Sequence, residues 1–132
     1  MLTDQEFIRA FEATTLPVAQ FDHAAHVRAG WWYVQHYSIG EAIDRFSQSL
    51  KAFAAANGAN RKYHETVTIA WMLVIAERVH QSRELDWAAF AERYPELFAT
   101  PSLLAQYYSS ERLGSEQARV GFVMPDAAPR NT

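Results

Sequence analysis

Eight consecutive apolar residues, Ile69 to Ala76, sit inside a longer stretch, Tyr63 to about Gln81, whose apolar pattern continues for several helical turns. A segment apolar on every side at this length predicts a central helix surrounded by others. Thr66, Val67, Thr68 and Ile69 are largely β-branched and on propensity alone suit a strand; the length of the pattern selects a helix. The rest of the chain supplies helices to pack around it. Thr3 and Glu6 form a capping box for a first helix with an apolar face of Phe7, Ile8 and Phe11. Pro17 interrupts the pattern, and Leu16 to Phe21 reads as a loop. Asp22 caps a second helix from His23 to about Tyr37, in which His23, His26, Val27, Gly30, Trp31 and Val34 form one core-facing stripe. A second capping box, Ser38 and Glu41, opens a third helix to about Ala56, ended by Asn57-Gly58-Ala59-Asn60.

Asp86 caps a fifth helix through Trp87, Phe90, Ala91 and Tyr94, where Pro95 kinks or ends it. Thr100-Pro101 starts another, with proline at the first helical position. Ser110 and Ser115 cap two short helices, and Phe122 to Thr132 reads as an extended tail. Strand-like alternation is nowhere sustained. The expected fold class is all-α: a helical bundle of about five main helices, short C-terminal helices and a tail, in one domain spanning 1–132.

The 132 residues suffice to bury a core without staples. The absence of cysteine excludes disulfides, thiolate metal sites and cysteine nucleophiles. Met1 to Glu6 lacks the basic start and apolar run of a signal peptide, and the longest apolar stretch is too short to span a bilayer, so a soluble, cytoplasmic protein is expected. Net charge is −3, and the 12 Lys and Arg are scattered, with Arg61-Lys62 the one adjacent pair. That pattern offers no basic stripe to a nucleic acid or an anionic membrane. Aromatics reach 14%; most belong to the core, and an excess can line a pocket for a small organic ligand.

Two segments carry candidate chemistry. In Phe21-Asp22-His23-Ala24-Ala25-His26-Val27 the two histidines lie at i and i+3 near a helix start, so both can face one metal ion. Asp22 could orient a ring, and the small Ala24, Ala25 and Gly30 leave room nearby. In Tyr63-His64-Glu65-Thr66-Val67-Thr68, His64 and Glu65 could complete a shell of three imidazoles and one carboxylate. They could also act without metal, His64 as general base and Glu65 as its partner or as an acid. Each segment also has a plainer reading, as histidines packing a helix end and a Glu complementing a helix dipole. Both lie at helix starts and lead into stripes of Trp and aliphatic residues. Because buried imidazoles and carboxylates need partners, convergence on one pocket is the physically favoured arrangement.

Other features weigh less. Glu77-x-x-His80 echoes the carboxylate di-iron bundles, which need two such motifs plus two further glutamates; one motif reads better as a polar helix end. His36 reads as exposed. Arg119 could clamp a substrate carboxylate, although an ion pair with Asp126 or another acid fits it better. No G-x-S-x-G elbow, phosphate loop, calcium loop or His-Glu-x-x-His motif is present.

The segments Phe21-x-His23-x-x-His26-Val27, Tyr63-His64-Glu65-Thr66-Val67-Thr68-x-Ala70-Trp71 and Tyr107-Tyr108-Ser109…Ser115-x-x-Ala118-Arg119-x-x-Phe122-Val123-x-Pro125-Asp126 together resemble a widespread group of small, uncharacterised bacterial proteins. The likeness covers about residues 16 to 126. It implies that the three blocks work as one unit, and it supplies no substrate.

The leading expectation is a small helical enzyme acting on a small organic molecule. His23, His26 and His64 would bind a divalent transition metal, with Glu65 as fourth ligand or general base. Tyr63, His64 and Glu65 would form the catalytic group; Trp31 and Trp71 would wall the pocket, and Tyr107 and Arg119 would contact substrate. The alternatives are a non-catalytic module holding a small ligand in an aromatic pocket, and an interaction protein that dimerises through a helix face. A homo-oligomer is compatible with each.

Overall fold

The computed structural model describes residues 2–127. The apolar stretch forms a helix, as its length requires. In chain order the helices are α1 (Asp4–Glu12), α2 (His23–His36), α3 (Ile39–Ala56), α4 (Glu65–Gln81), α5 (Trp87–Arg93), α6 (Ser110–Leu113) and α7 (Glu116–Val120). Short 3-10 turns occur at Val18–Gln20, Asn60–Lys62, Pro95–Phe98 and Leu103–Gln106. No strand occurs among the described residues, so the chain is all-α, and no helix is long and apolar enough to cross a membrane.

Most helix starts follow from the local caps. The Thr3 hydroxyl accepts from the Glu6 N–H while the Glu6 carboxylate accepts from the Thr3 N–H. Asp22 accepts from Ala25 N–H, Asp86 from Ala89 N–H and Ser115 from Ala118 N–H, each satisfying a donor that a helix start leaves open. Three local expectations need correction. Ser38 is the N-cap of α3 but its side chain makes no cap bond. Ser109, not Ser110, caps α6. The Thr100-Pro101 peptide is cis, and the next turn begins at Leu103 instead of at the proline. At the end of α3, Gly58 takes φ +66°, a backbone that favours glycine. Residues 122–126 are extended, as expected; the part of the anticipated tail beyond 127 lies outside the described residues.

α4 is central, packing against α2, α3 and α7. Its partnership with α2 is the closest. A Cβ added at Gly30 would stand 2.9 Å from Ile75 Cδ1 and 3.1 Å from Met72 Sδ, so the room left by Gly30 is filled by α4 and forms no pocket. Contacts run in the same order along both helices. His26 and Thr68 share one cleft, Gly30 meets Met72 and Ile75, and Val34 and Ala76 share another cleft. The two helices therefore run side by side in the same direction, with α3 returning between them in sequence.

Core lies on both sides of this pair. Val27, Trp31, Trp71 and Ile75 pack with Phe90, Tyr94, Leu97 and Leu104. Ala29, Tyr33 and Met72 pack with Phe7, Phe11, Phe46 and Phe53. Each large side chain taken fully out of water contributes about 1.5–3 kcal/mol. The stripe predicted on α2 turns inward at Val27, Gly30 and Trp31, whereas His23 at its start is exposed. α4 is not enclosed on all sides either: Leu73 is 46% exposed.

The C-terminal segment is fastened to the start of α4. Thr66, fully buried, donates its hydroxyl to Gly121 O at 3.0 Å and accepts from Val123 N–H at 3.1 Å. The Tyr108 hydroxyl donates to Val123 O at 2.8 Å. Asp126 accepts from both the N–H and the hydroxyl of Ser109, and Arg112 donates to Met124 O. Residues 121–126 thus form a strap across one face of α4.

Candidate functional site

The parallel course of α2 and α4 brings their first turns to the same end of the bundle. There the C-terminal part of α3 and the loop before α2 complete a cleft of about 320 Å³. Its walls are mostly apolar, with Phe21, Leu50, Phe53 and Val67 prominent, and its polar lining comes from His26, Asn57, Lys62, Tyr63, His64 and Thr68. The two segments singled out in the sequence therefore meet, through His26 from the one and Tyr63, His64 and Thr68 from the other.

His26 is the unusual member. Its ring lies 5.2 Å from that of Phe46 and 6.1 Å from that of Phe21. Although one part of the residue remains accessible, its Nε2 is sealed from solvent and has no hydrogen-bond partner. No other buried side-chain nitrogen or oxygen among the described residues is left this way. Loss of hydration, with a smaller contribution from His23, pushes the imidazole down to about 4, so the ring is uncharged at neutral pH. An orphaned polar atom of this kind costs about 1–3 kcal/mol.

The neighbouring side chains are already committed. His64 is the N-cap of α4: its Nδ1 accepts from Val67 N–H at 3.1 Å, and its Nε2–H donates to Leu113 O at 2.7 Å. Both ring nitrogens are therefore engaged with backbone, which makes His64 a fastener between α4 and α6. Tyr63 donates its hydroxyl to Glu65 Oε1 at 2.5 Å. Burial first and the bond to Glu65 second push this phenol up to about 12, with the Ser47 and Thr68 hydroxyls beside it acting in the opposite sense. Thr68 donates to His64 O at 2.8 Å. The polar pattern of the Tyr63–Thr68 segment is thus explained largely by capping and fastening, Thr66 holding the strap and His64 holding α6.

The remaining candidates lie elsewhere. His23 is outside the cleft; its Nε2–H donates to Leu97 O at 2.8 Å and its ring meets Trp71 edge-on at 5.0 Å. Trp71 is buried behind it, and Trp31 is buried against Trp87 and Phe90. Arg119 forms a two-toothed pair with Glu116, at 2.7 and 2.6 Å, while Asp126 goes to Ser109. Tyr107 lines a different groove of about 420 Å³, between the Leu73 face of α4 and Phe122, Met124 and Pro125 of the strap. That groove is the larger of the two but holds no unsatisfied buried polar atom. His80 accepts from Arg83 and His36 donates to Trp32 O, both at the surface.

The four-residue metal shell does not fit this arrangement. Among the described residues no three His, Asp or Glu side chains are gathered closely enough to hold an ion. His64 has no ring nitrogen to offer, Glu65 is held by Tyr63, and His23 turns to Leu97. The residues that sequence reasoning did not single out are Phe21 as a wall, Phe53 and Val67 beside it, and Lys62 at the mouth. Phe21 was visible as a neighbour of the histidines, whereas Phe53 belongs to a separate helix and carried no local mark. Set against family models, curated proteins and solved structures, the chain matches none.

Proposed function

We propose that this chain binds a small organic molecule in the cleft at the shared end of α2 and α4, with His26 engaging the molecule's polar atom. The observation that carries the reading is the buried, partnerless Nε2 on a ring that lines a mostly apolar cleft. The cleft volume is at the small end of ligand sites, which suits a compact molecule. Nε2 is sealed as the cleft stands, so a ligand oxygen or nitrogen would engage it by displacing the side chains that cover it, which would relieve the unmet hydrogen bond while the aromatic walls cover the ligand's apolar body.

Binding is favoured over acid–base catalysis by the direction in which the site's groups are tuned. General acids and bases work best with pKa values near the operating pH. His26, at about 4, is a weak base, and Tyr63, at about 12, is a weak acid. An uncharged imidazole remains a good hydrogen-bond partner, which is the role assigned to it.

The test compares phenol with toluene, which lacks the hydroxyl, by amide chemical-shift perturbation in the wild type and in His26→Leu. The expected result is that phenol shifts residues of the cleft at least about tenfold more tightly than toluene, about 1.4 kcal/mol, and that His26→Leu abolishes this preference. Equal binding of the two probes, an unchanged preference in His26→Leu, or no binding to the cleft would refute the proposal. Conversion of the probe by wild type but not by His26→Leu would turn it into an enzymatic site.

A further inference from the structure

The charges around the cleft narrow the class of molecule it takes. No Asp or Glu lines it among the described residues; its one formally charged lining residue is Lys62, exposed at the mouth in the 3-10 turn before α4. Lys62 has no ion-pair partner among the described residues. A second cation stands close by, Lys51 Nζ lying 5.1 Å from the centre of the Tyr63 ring. Glu65 accepts the Tyr63 hydroxyl and lies outside the lining, and Glu116 pairs with Arg119 and feels Arg61. In a chain of net charge −3 this corner is locally cationic. The polar end of the cleft and its charged end are also different: His26 stands among Phe21, Phe46 and Phe53, whereas Lys62 meets solvent.

We infer that the ligand is a compact, largely aromatic or branched aliphatic monocarboxylate carrying a second polar atom, such as a hydroxyl. The carboxylate sits at the mouth against Lys62, and the second polar atom sits inside against His26, reaching its sealed Nε2 as the side chains covering it shift. The apolar body between them lies against Phe21, Phe53, Leu50 and Val67. Asn57, also at the rim, is uncharged and has one of its two Nδ2 hydrogens on Phe53 O, so Lys62 is the lining group that can neutralise an anion. This inference rests on the binding role proposed above and adds the charge of the ligand to it.

The experiment titrates the full chain with 4-hydroxyphenylacetate and with 4-hydroxyphenylethanol, which share the ring and hydroxyl and differ in the carboxylate. An exposed ion pair contributes little, so the acid is expected to bind about three- to five-fold more tightly than the alcohol at low salt. The advantage should vanish in Lys62→Gln and shrink to below about twofold in 0.5 M sodium chloride, where screening acts over about 4 Å. The alcohol should bind Lys62→Gln as it binds the wild type. Lys62 is exposed, its side chain makes no hydrogen bond to the described residues, and the bond from its backbone N–H to Ala59 O is kept by any residue but proline, so its replacement leaves the fold undisturbed. Equal affinity for acid and alcohol would overturn the charge assignment while leaving the binding site standing. An advantage that persists in Lys62→Gln would overturn it as well, because the anion would then be held elsewhere. Failure of both probes to reach the cleft would remove both readings.

Discussion

Replacing Thr66 by valine keeps the shape of a fully buried side chain and deletes its two hydrogen bonds. The hydroxyl bridges two turns of chain far apart in sequence, donating to Gly121 O at 3.0 Å and accepting from Val123 N–H at 3.1 Å. In Thr66→Val the Val123 N–H loses its acceptor inside a buried residue, at a cost of about 1–3 kcal/mol. Gly121, partly exposed, can turn its carbonyl toward water, so its loss is nearer about 1 kcal/mol. The total is about 2–4 kcal/mol. With an unfolding entropy of about 2.1 cal/mol/K per residue over 132 residues, the melting temperature should fall by about 7–14 °C. Thr68→Val is the matched control. Thr68 is equally buried, but its hydroxyl donates only to His64 O, which already accepts the Thr68 N–H within the helix. That variant should lose less than about 1 kcal/mol. Thermal unfolding followed by far-ultraviolet circular dichroism measures both, and hydrogen exchange at the Val123 amide reports the strap directly. A Thr66→Val melting temperature no lower than that of Thr68→Val, with the Val123 amide still protected, would refute the assignment of Thr66 as the strap's fastener.

Two further outcomes follow from the histidines. The His26 imidazole is pushed below its unfolded value of 6.5, to about 4, so the unfolded chain binds the extra proton between those values. Stability is then complete above about pH 6.5 and declines by a few kcal/mol as pH falls toward 4; His26→Leu should flatten this part of the melting-temperature profile, and a profile that keeps its slope would show that other groups cause it. His64→Ala should lose the α4 cap and the tie to Leu113 O, about 2–3 kcal/mol together, whereas His64→Asn should recover about 1 kcal/mol by restoring the cap; chemical denaturation distinguishes these, and equal stabilities for the two variants would rule out the capping role.

The parts of this structure that could be read from sequence are those fixed within a few residues. Thr3, Asp22, Asp86 and Ser115 sit one turn from the N–H groups that they satisfy, and the apolar length of α4 leaves a helix as its sole economical form. Ser38 shows the limit, since a capping residue in the right place need not make the cap bond. The meeting of the two helix starts was also legible in outline, because polar groups at the head of apolar stripes need company. What each ring nitrogen would find was not. His23 is taken by Leu97, 74 residues further on, and His64 by Leu113, 49 residues further on. Those partners are backbone carbonyls, which every residue possesses, so no side-chain pattern could mark them. The same holds for Tyr107, whose separation from the cleft is decided by how the strap crosses α4. Sequence spacing placed His23 and His26 near one another and left the meeting with His64 an expectation; long-range backbone bonds decided that only one of the three stays uncommitted.

The glycine at position 30 belongs to the packing of the bundle beside the cleft. It lies one helical turn beyond His26, where α2 touches Met72 and Ile75 of α4. A methyl group there would press on the ends of the Ile75 and Met72 side chains, which would have to turn aside within the crowded seam between the two helices. The close seating of the two helices just beyond the cleft therefore rests on a residue that does not line it.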